Sequence, residues 1–163
     1  MTSAIAPAVL LLGTLTGCTT SGGARDHATT VSERTQVIQT AQAMFDAMSS
    51  RDTAVLRRLL MPDAMLFATD ERQSPVVASS RNVEFFLQMI ASSTETLTER
   101  MYDPQVYIDG GVATLWAPYT FHRNDRLSHC GYDGFQLIRA DGEWRIASVV
   151  FTMRAPSDCV THE

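Results

Sequence analysis

Three turn signals divide the second half of the chain into strand-length segments, and this spacing constrains the fold more than any other feature. The signals are Asp109-Gly110-Gly111, Asn124-Asp125 and Asp141-Gly142. Gly, Asn and Asp favour tight hairpin turns because they tolerate positive φ angles. The sequence therefore predicts four consecutive antiparallel strands, over residues 97–108, 112–122, 127–139 and 143–153. Pro104 implies a bulge or an edge position in the first of them.

The first half of the chain carries helical signals instead. Thr30-Val-Ser-Glu33 reads as a capping box ahead of apolar residues at helical spacing, which predicts a first helix from about 31 to 50. Asp52 is placed to cap a short second helix, and Ser80 to cap a third. Residues 64–69 predict a strand and residues 70–79 a loop. Helices first and a strand meander afterwards indicate the α+β class rather than alternating α/β.

The length and charge of the chain exclude several classes of protein. The chain has 163 residues, 45% of them apolar, which suits one domain and excludes wholesale disorder. The formal net charge of −5 argues against a nucleic-acid partner, which usually selects a basic surface. No apolar run reaches the ~20 residues that a membrane-spanning helix needs.

The N-terminal residues predict that the protein is located outside the cytoplasm. Residues 4–15 form a short apolar run that ends in Leu15-Thr16-Gly17-Cys18. This ending resembles the bacterial lipobox, and the resemblance implies that Cys18 becomes a lipidated N-terminus anchored in a membrane. Residues 1–17 lack the Arg or Lys that a signal peptide usually carries. The alternative is a buried apolar segment with an incidental cysteine.

The predicted organisation places one domain between two short terminal segments. Thr19–Thr29 is polar and rich in Gly, Ser and Thr, which is typical of a flexible tether. The predicted units are a signal peptide at 1–18, a tether at 19–29, the domain at 30–155 and a tail at 156–163.

The cysteine count agrees with an extracytoplasmic location. If Cys18 is lipidated, Cys130 and Cys159 remain as a pair that an oxidising compartment would bridge. The alternative is two unpaired cysteines, one buried and one in a mobile tail.

The order of elements and several motifs of the second half suggest a family. The motifs are Trp116, Ser128-His-Cys-Gly-x-Asp133 and Asp141-Gly142-x-Trp144-x-Ile146. Over residues 31–155 the chain resembles the nuclear transport factor 2-like superfamily, and within it the SnoaL-like branch and relatives labelled "putative lumazine-binding". The resemblance implies a cone-shaped antiparallel sheet wrapped around helices, with a pocket between them. The superfamily contains isomerases, dehydratases, cyclases and non-catalytic domains, so fold alone does not decide function.

Counting strand partners outward from the predicted hairpin turns assigns residues to the two faces of the sheet. A two-residue turn at Asn124-Asp125 pairs Thr120 with His129 and Trp116 with Asp133. The predicted pocket face carries Trp116, Thr120, His122, His129, Asp133, Phe135, Leu137, Ile146 and Val150. The predicted outer face carries Tyr119, Tyr132 and Phe151, an aromatic patch suited to a homodimer contact. A one-residue bulge would invalidate this assignment.

Asp133 and His129 are the candidate acid–base groups. Burial would raise the pKa of Asp133 and suit it to proton transfer, as carboxylates act in the superfamily's isomerases; the alternative is an Asp that bonds a backbone amide or an Arg. His129 could shuttle a proton, or could be a strand histidine bonded to Thr120. The two lie roughly 13 Å apart along one strand, so they cannot form a direct dyad.

Neither a metal nor a cofactor is expected. His122 and His129 have no evident third ligand, and phosphate-loop and Cys-x-x-Cys motifs are absent. The leading hypothesis is a lipid-anchored envelope domain that binds a small apolar or aromatic molecule without catalysis. One alternative is an isomerase-, dehydratase- or cyclase-type enzyme, and another is a structural subunit that assembles through its outer sheet face.

Overall fold

The computed structural model describes residues 23–160 in addition to Met1, with side chains in that range described from Ser32 onward. The predicted lipobox, with Cys18, lies outside the described residues. Within the described part, no helix combines the length and the apolar character needed to cross a membrane.

Three helices precede or interrupt the first strands: α1 at Gly23–Ser50, α2 at Thr53–Leu59 and α3 at Val83–Ser92. α1 begins at Gly23 rather than near residue 31, so the predicted cap at Thr30 is wrong and residues 23–29 of the predicted tether are helical. The predicted cap of α2 is confirmed, since the Asp52 carboxylate accepts a hydrogen bond from the Val55 amide at 2.9 Å. α3 is capped by Asn82, two residues after the predicted Ser80.

Seven strands follow the helices or alternate with them. They are β1 Leu60–Asp70, β2 Val77–Asn82, β3 Leu97–Met101, β4 Gln105–Asp109, β5 Val112–Arg123, β6 Arg126–Ala140 and β7 Glu143–Met153. The predicted strand at 97–108 is two strands, because the chain breaks around Pro104, where Asp103 has a positive φ of 40°. β2 was missed because its segment, VASSRN, lacks a buried apolar face.

The strands form one mixed sheet in the order β2-β1-β7-β6-β5-β3, with β4 also paired to β5. Every pairing is antiparallel except that of β1 with β7, which is parallel. The predicted α+β class is confirmed. The strand that the sequence predicted at 64–69 supplies the parallel neighbour of the last strand.

The three predicted hairpin turns lie where the sequence places them, but the register of β5 and β6 changes along their length. Arg123 pairs with Arg126 as predicted, whereas Phe121 pairs with His129. The extra residue is Ser128, a β-bulge that moves each later residue of β6 by one position. The predicted pairs Thr120–His129 and Trp116–Asp133 are therefore wrong.

The core lies between α1 and the sheet face that this register turns inward. α1 contributes Val37, Ala41 and Phe45, and the sheet contributes Leu115 and Phe135, all almost fully buried.

Near the start of β6, Cys130 forms a disulfide with Cys159. The predicted pairing is confirmed, and it ties the C-terminal segment, with its short 3-10 helix at Pro156–Asp158, to the sheet.

Candidate functional site

A cavity of about 430 Å³ lies between the helices and the inward face of the sheet. Its walls are mainly apolar, and two helices and the sheet contribute to them. The apolar side chains are Met44, Phe45 and Met48 of α1, Phe86 and Ile90 of α3, and Phe135, Val149 and Phe151 of the sheet. Arg81, Met89 and Arg123 line it and are exposed to solvent, so they mark its opening. Apolar walls with a few polar groups are typical of a small-molecule site.

Two carboxyl groups, Glu99 of β3 and Asp133 of β6, meet in this cavity. Asp133 is 2% exposed, whereas Glu99 is partly exposed. The Glu99 carboxyl donates a hydrogen bond to Asp133, an arrangement that requires a proton on Glu99. The Oδ2 atom of Asp133 is buried and has no hydrogen-bond partner among the described residues.

Burial and mutual repulsion keep protons on this acid pair. Burial raises the pKa of Asp133 to about 8. Burial also raises the pKa of Glu99 well above its usual range, and so do the charge of Asp133 and the hydrogen bond to it. Two carboxyl groups in one apolar site resist double ionisation. The pair therefore stays at least singly protonated at neutral pH, and it can both donate and accept a hydrogen bond.

His129 lines the cavity as a neutral aromatic ring. It stacks on Phe121, with ring centroids 4.8 Å apart, and meets the edge of Tyr119 at 5.8 Å. Its Nδ1 lies 3.1 Å from the Ser128 hydroxyl, not against Thr120. Burial, together with the charges of Arg72 and Arg123, lowers the pKa of His129 to about 4. The ring is thus uncharged at neutral pH.

Tyr119 forms the wall between His129 and the acid pair. Its hydroxyl donates a hydrogen bond to the Thr152 carbonyl at 2.8 Å, and its side chain is 1% exposed. Burial raises the pKa of Tyr119, and so do the nearby charges of Glu99 and Asp133. The phenol is therefore a fixed, neutral part of the wall.

The structure brings together only part of the predicted site. Asp133, His129 and Phe135 line the cavity, while Leu137 and Ile146 lie in the core without lining it. Trp116, Thr120, His122 and Val150 lie on the opposite face of the sheet. Two bulges are the physical reason. The one at Ser128 shifts β5 relative to β6, and an extra residue in β7, Ala147, shifts β7 relative to β6, because Leu137 pairs with Ile146 but Gln136 pairs with Ser148.

The same two bulges bring in two residues predicted for the outer face. Tyr119 and Phe151 line the cavity, so the proposed outer aromatic patch keeps only Tyr132 of its three members. Tyr132 stacks on Trp116, with ring centroids 5.4 Å apart, and Trp116 is 46% exposed. His122 and His129 are on opposite faces and cannot share a metal. No group of three His, Cys, Asp or Glu side chains suited to a metal occurs within residues 23–160.

Sequence reasoning missed Glu99, the partner of Asp133. A signal was present in β3, because Leu97 and Met101 lie two residues before and two residues after Glu99. Period-two spacing places the Glu99 side chain on the same face as two apolar neighbours. An acidic residue at an inward position is the pattern that would have identified it.

The remaining charges around the opening are mostly paired. Arg123 binds Glu95 at 3.2 Å, and Arg72 binds Asp70 at 2.7 Å, which holds the pKa of Asp70 far below its usual range. Arg81 instead lies over the ring of Phe85, 5.1 Å from its centroid.

Comparison with solved structures identifies the class of the fold. An NTF-2 like protein of unknown function from Silicibacter pomeroyi superposes with a TM-score of 0.60 at 19% identity, over 77% of this chain and 98% of that chain. An NTF2-like protein with a cystatin-like fold from Novosphingobium aromaticivorans gives a TM-score of 0.66 at 12% identity, over 87% and 95%. A "putative dehydratase" of the NTF2-like family from Streptomyces avermitilis gives 0.60 at 18% identity, over 77% and 98%.

The sequence also identifies the family. Residues 32–152 match the family described as "Putative lumazine-binding", so the chain belongs to that family within the nuclear transport factor 2-like fold. No curated protein matches the chain. At these identities the solved structures establish the fold alone.

Proposed function

We propose that this domain binds a small, largely apolar molecule in the cavity between its helices and its sheet. The observation that carries the proposal is the cavity itself, about 430 Å³ with aromatic and methionine walls that end at the Glu99–Asp133 pair. The pair offers both a donor and an acceptor to a polar group of the ligand. A pocket with a few fixed polar groups is how proteins orient small ligands.

Filling the cavity tests this proposal. Ala68 lines the cavity and is 9% exposed, so Ala68→Phe places a ring inside it. Val112→Phe adds a ring on the exposed surface outside the cavity and serves as the matched control, since Val112 is 55% exposed and does not line the cavity. We expect the apolar fluorophore N-phenyl-1-naphthylamine to bind the wild type and Val112→Phe alike, and Ala68→Phe at least tenfold more weakly. Equal binding by a folded Ala68→Phe would contradict the proposal.

A second candidate function is acid–base catalysis of the isomerase, dehydratase or cyclase type. The observation that favours it is the protonated carboxyl pair, whose Asp133 pKa of about 8 is suited to proton exchange near neutral pH. Asp133 would transfer the proton, and the hydrogen bond from Glu99 would hold the Asp133 carboxyl in position. His129 is the weaker candidate because its ring is neutral and stacks on Phe121. Asp133→Asn would then abolish turnover of a discovered substrate with the fold intact, and unchanged turnover would exclude the role.

We further propose that the domain is a lipid-anchored, extracytoplasmic protein. The lipobox ending in Cys18 and the Cys130–Cys159 disulfide support this address. We expect the wild type to fractionate with bacterial membranes and Cys18→Ser to be released. Release of both, or of neither, would contradict lipidation at Cys18.

The outer sheet face supports a homodimer as the assembly. Trp116 and Val150 are each 46% exposed there, and Tyr132 stacks on Trp116. An exposed apolar patch of this kind marks a contact surface. Trp116→Arg would convert a dimer to a monomer in sedimentation analysis, and an unchanged dimer would contradict this contact.

A further inference from the structure

Arg81 is a charged residue at the cavity opening, and no acidic side chain within residues 32–160 forms an ion pair with it. The ion pairs of the described residues involve Arg57, Arg72, Arg123, Arg139 and Arg154. Arg81 instead rests on Phe85 and donates a hydrogen bond to the carbonyl of its neighbour Ser80 at 3.3 Å. An incoming anion could therefore reach its guanidinium without displacing a carboxylate.

The other charged groups of the cavity leave its opening positive. Arg123 and Glu95 offset each other at 3.2 Å. The acid pair at the far end holds a proton and so carries no more than one negative charge at neutral pH. Arg81 is the surplus charge, and it lies on the exposed edge strand β2 and lines the cavity.

The two ends of the cavity therefore differ in what they can accept. At the inner end Asp133 is 2% exposed and its Oδ2 has no hydrogen-bond partner among the described residues. A ligand anion placed there would be repelled by the carboxyl pair, whereas an uncharged polar group would be accepted. Between the ends the walls are apolar, with Phe45, Phe86 and Phe151 among them.

We propose that the ligand is an apolar organic acid, bound with its anionic group at Arg81 and its apolar body in the cavity toward Asp133. The inference rests on the proposed binding function and adds the charge and the orientation of the ligand. The shape of the cavity selects the apolar body, and Arg81 selects the anion.

Two fluorophores that differ by one anionic group separate these contributions. 1-Anilinonaphthalene-8-sulfonate carries a sulfonate, and N-phenyl-1-naphthylamine has the same rings without it. Binding of both would be titrated on the full chain as the wild type, as Arg81→Gln and as Arg58→Gln. Arg58 is exposed on α2 and does not line the cavity, so its variant makes the same change in net charge elsewhere.

We expect Arg81→Gln to weaken binding of the sulfonate about fivefold, the effect of losing one exposed charge contact. Its affinity for the uncharged probe and both affinities of Arg58→Gln should stay within about twofold of the wild type. An unchanged preference for the sulfonate in Arg81→Gln, or an equal loss in Arg58→Gln, would overturn the inference while the cavity proposal stands. If neither probe binds the wild type, the binding function itself fails.

Discussion

The Glu99–Asp133 pair is the residue-scale feature from which the chemistry of the site follows. Neither carboxyl group has an Arg partner, although this chain pairs five of its arginines with acids elsewhere in the described residues. Burial without a cation keeps the pair protonated, where a salt bridge would have ionised it. The site therefore offers a proton at a pH where carboxyl groups are ordinarily ionised.

The protonated pair predicts a specific dependence of stability on pH. Because burial raises the pKa of Asp133 from 3.8 to about 8, the folded chain holds a proton over that range which the unfolded chain releases. The contribution of Asp133 to the free energy of unfolding therefore falls as pH rises from about 4 to about 8. Asp133→Asn removes this loss, so the variant should gain at least about 1.4 kcal/mol relative to the wild type over the interval, the equivalent of one pKa unit.

Urea unfolding at a series of pH values measures this difference. His129 acts in the opposite direction, because its pKa is lowered from 6.5 to about 4 and neutral folded His129 favours stability as pH rises between those values. The wild-type profile mixes both effects, whereas subtracting it from the Asp133→Asn profile isolates the carboxyl contribution. A difference between the two proteins that is independent of pH would show that Asp133 is ionised in the folded chain.

Residue types alone predicted Asp133 and His129 as cavity residues but not the contacts that define their chemistry. Asp133 could be singled out because it is an acid among apolar residues of a predicted strand. Its partner Glu99 is 34 positions earlier in the sequence, and the intervening chain folds back through β4 and β5. A contact of that kind depends on how the sheet curves, which local patterns do not encode.

At the scale of elements, β6 determines which side chains enter the cavity. The bulge at Ser128 separates two parts of the hairpin with different registers. The sequence predicted the hairpin turns because their residues favour positive φ angles, and Asn124, Asp125 and Asp141 do adopt them. The sequence did not predict the bulge, because a bulge at Ser128 does not depend on any particular residue type and so leaves no sequence signal. One extra residue was enough to exchange Trp116 for Tyr119 in the cavity.

Gly131 is the position in β6 where the backbone leaves no room for a side chain. A Cβ there would lie 2.0 Å from the Thr152 carbonyl oxygen of β7, the same oxygen that Tyr119 binds. Gly131→Ala should lower the free energy of unfolding by more than about 2 kcal/mol, because β7 would have to move. Gly111→Ala is the control, since its Cβ would be 3.8 Å from its nearest neighbour. Equal stability of the two variants in urea unfolding would contradict this packing.

At the scale of the whole molecule, the disulfide joins the last residues to the sheet that carries the site. The cysteine count predicted it correctly, because removing Cys18 from the count leaves one pair. Cys130 and Cys159 are separated by 29 positions, a closed loop worth about 3.6 kcal/mol in the chain-entropy account.

Loss of the disulfide should therefore lower the free energy of unfolding by about 3.6 kcal/mol without changing the fold. The comparison is the wild type and a variant with Cys130→Ala and Cys159→Ala, each unfolded by urea with and without reductant. Reductant should destabilise the wild type and leave the variant unchanged. An equal response of the two proteins would mean that the bridge does not form in solution.

We propose that the cavity is a ligand site rather than unfilled space. The most direct measurement is native mass spectrometry of the wild type and of Ala68→Phe, both expressed with the native N-terminal segment and purified without reductant from the bacterial envelope. We predict that the wild type retains a small-molecule mass in addition to the oxidised chain and that Ala68→Phe, equally folded, has lost it. A wild type that carries no added mass from the envelope and gains none from N-phenyl-1-naphthylamine would contradict the claim.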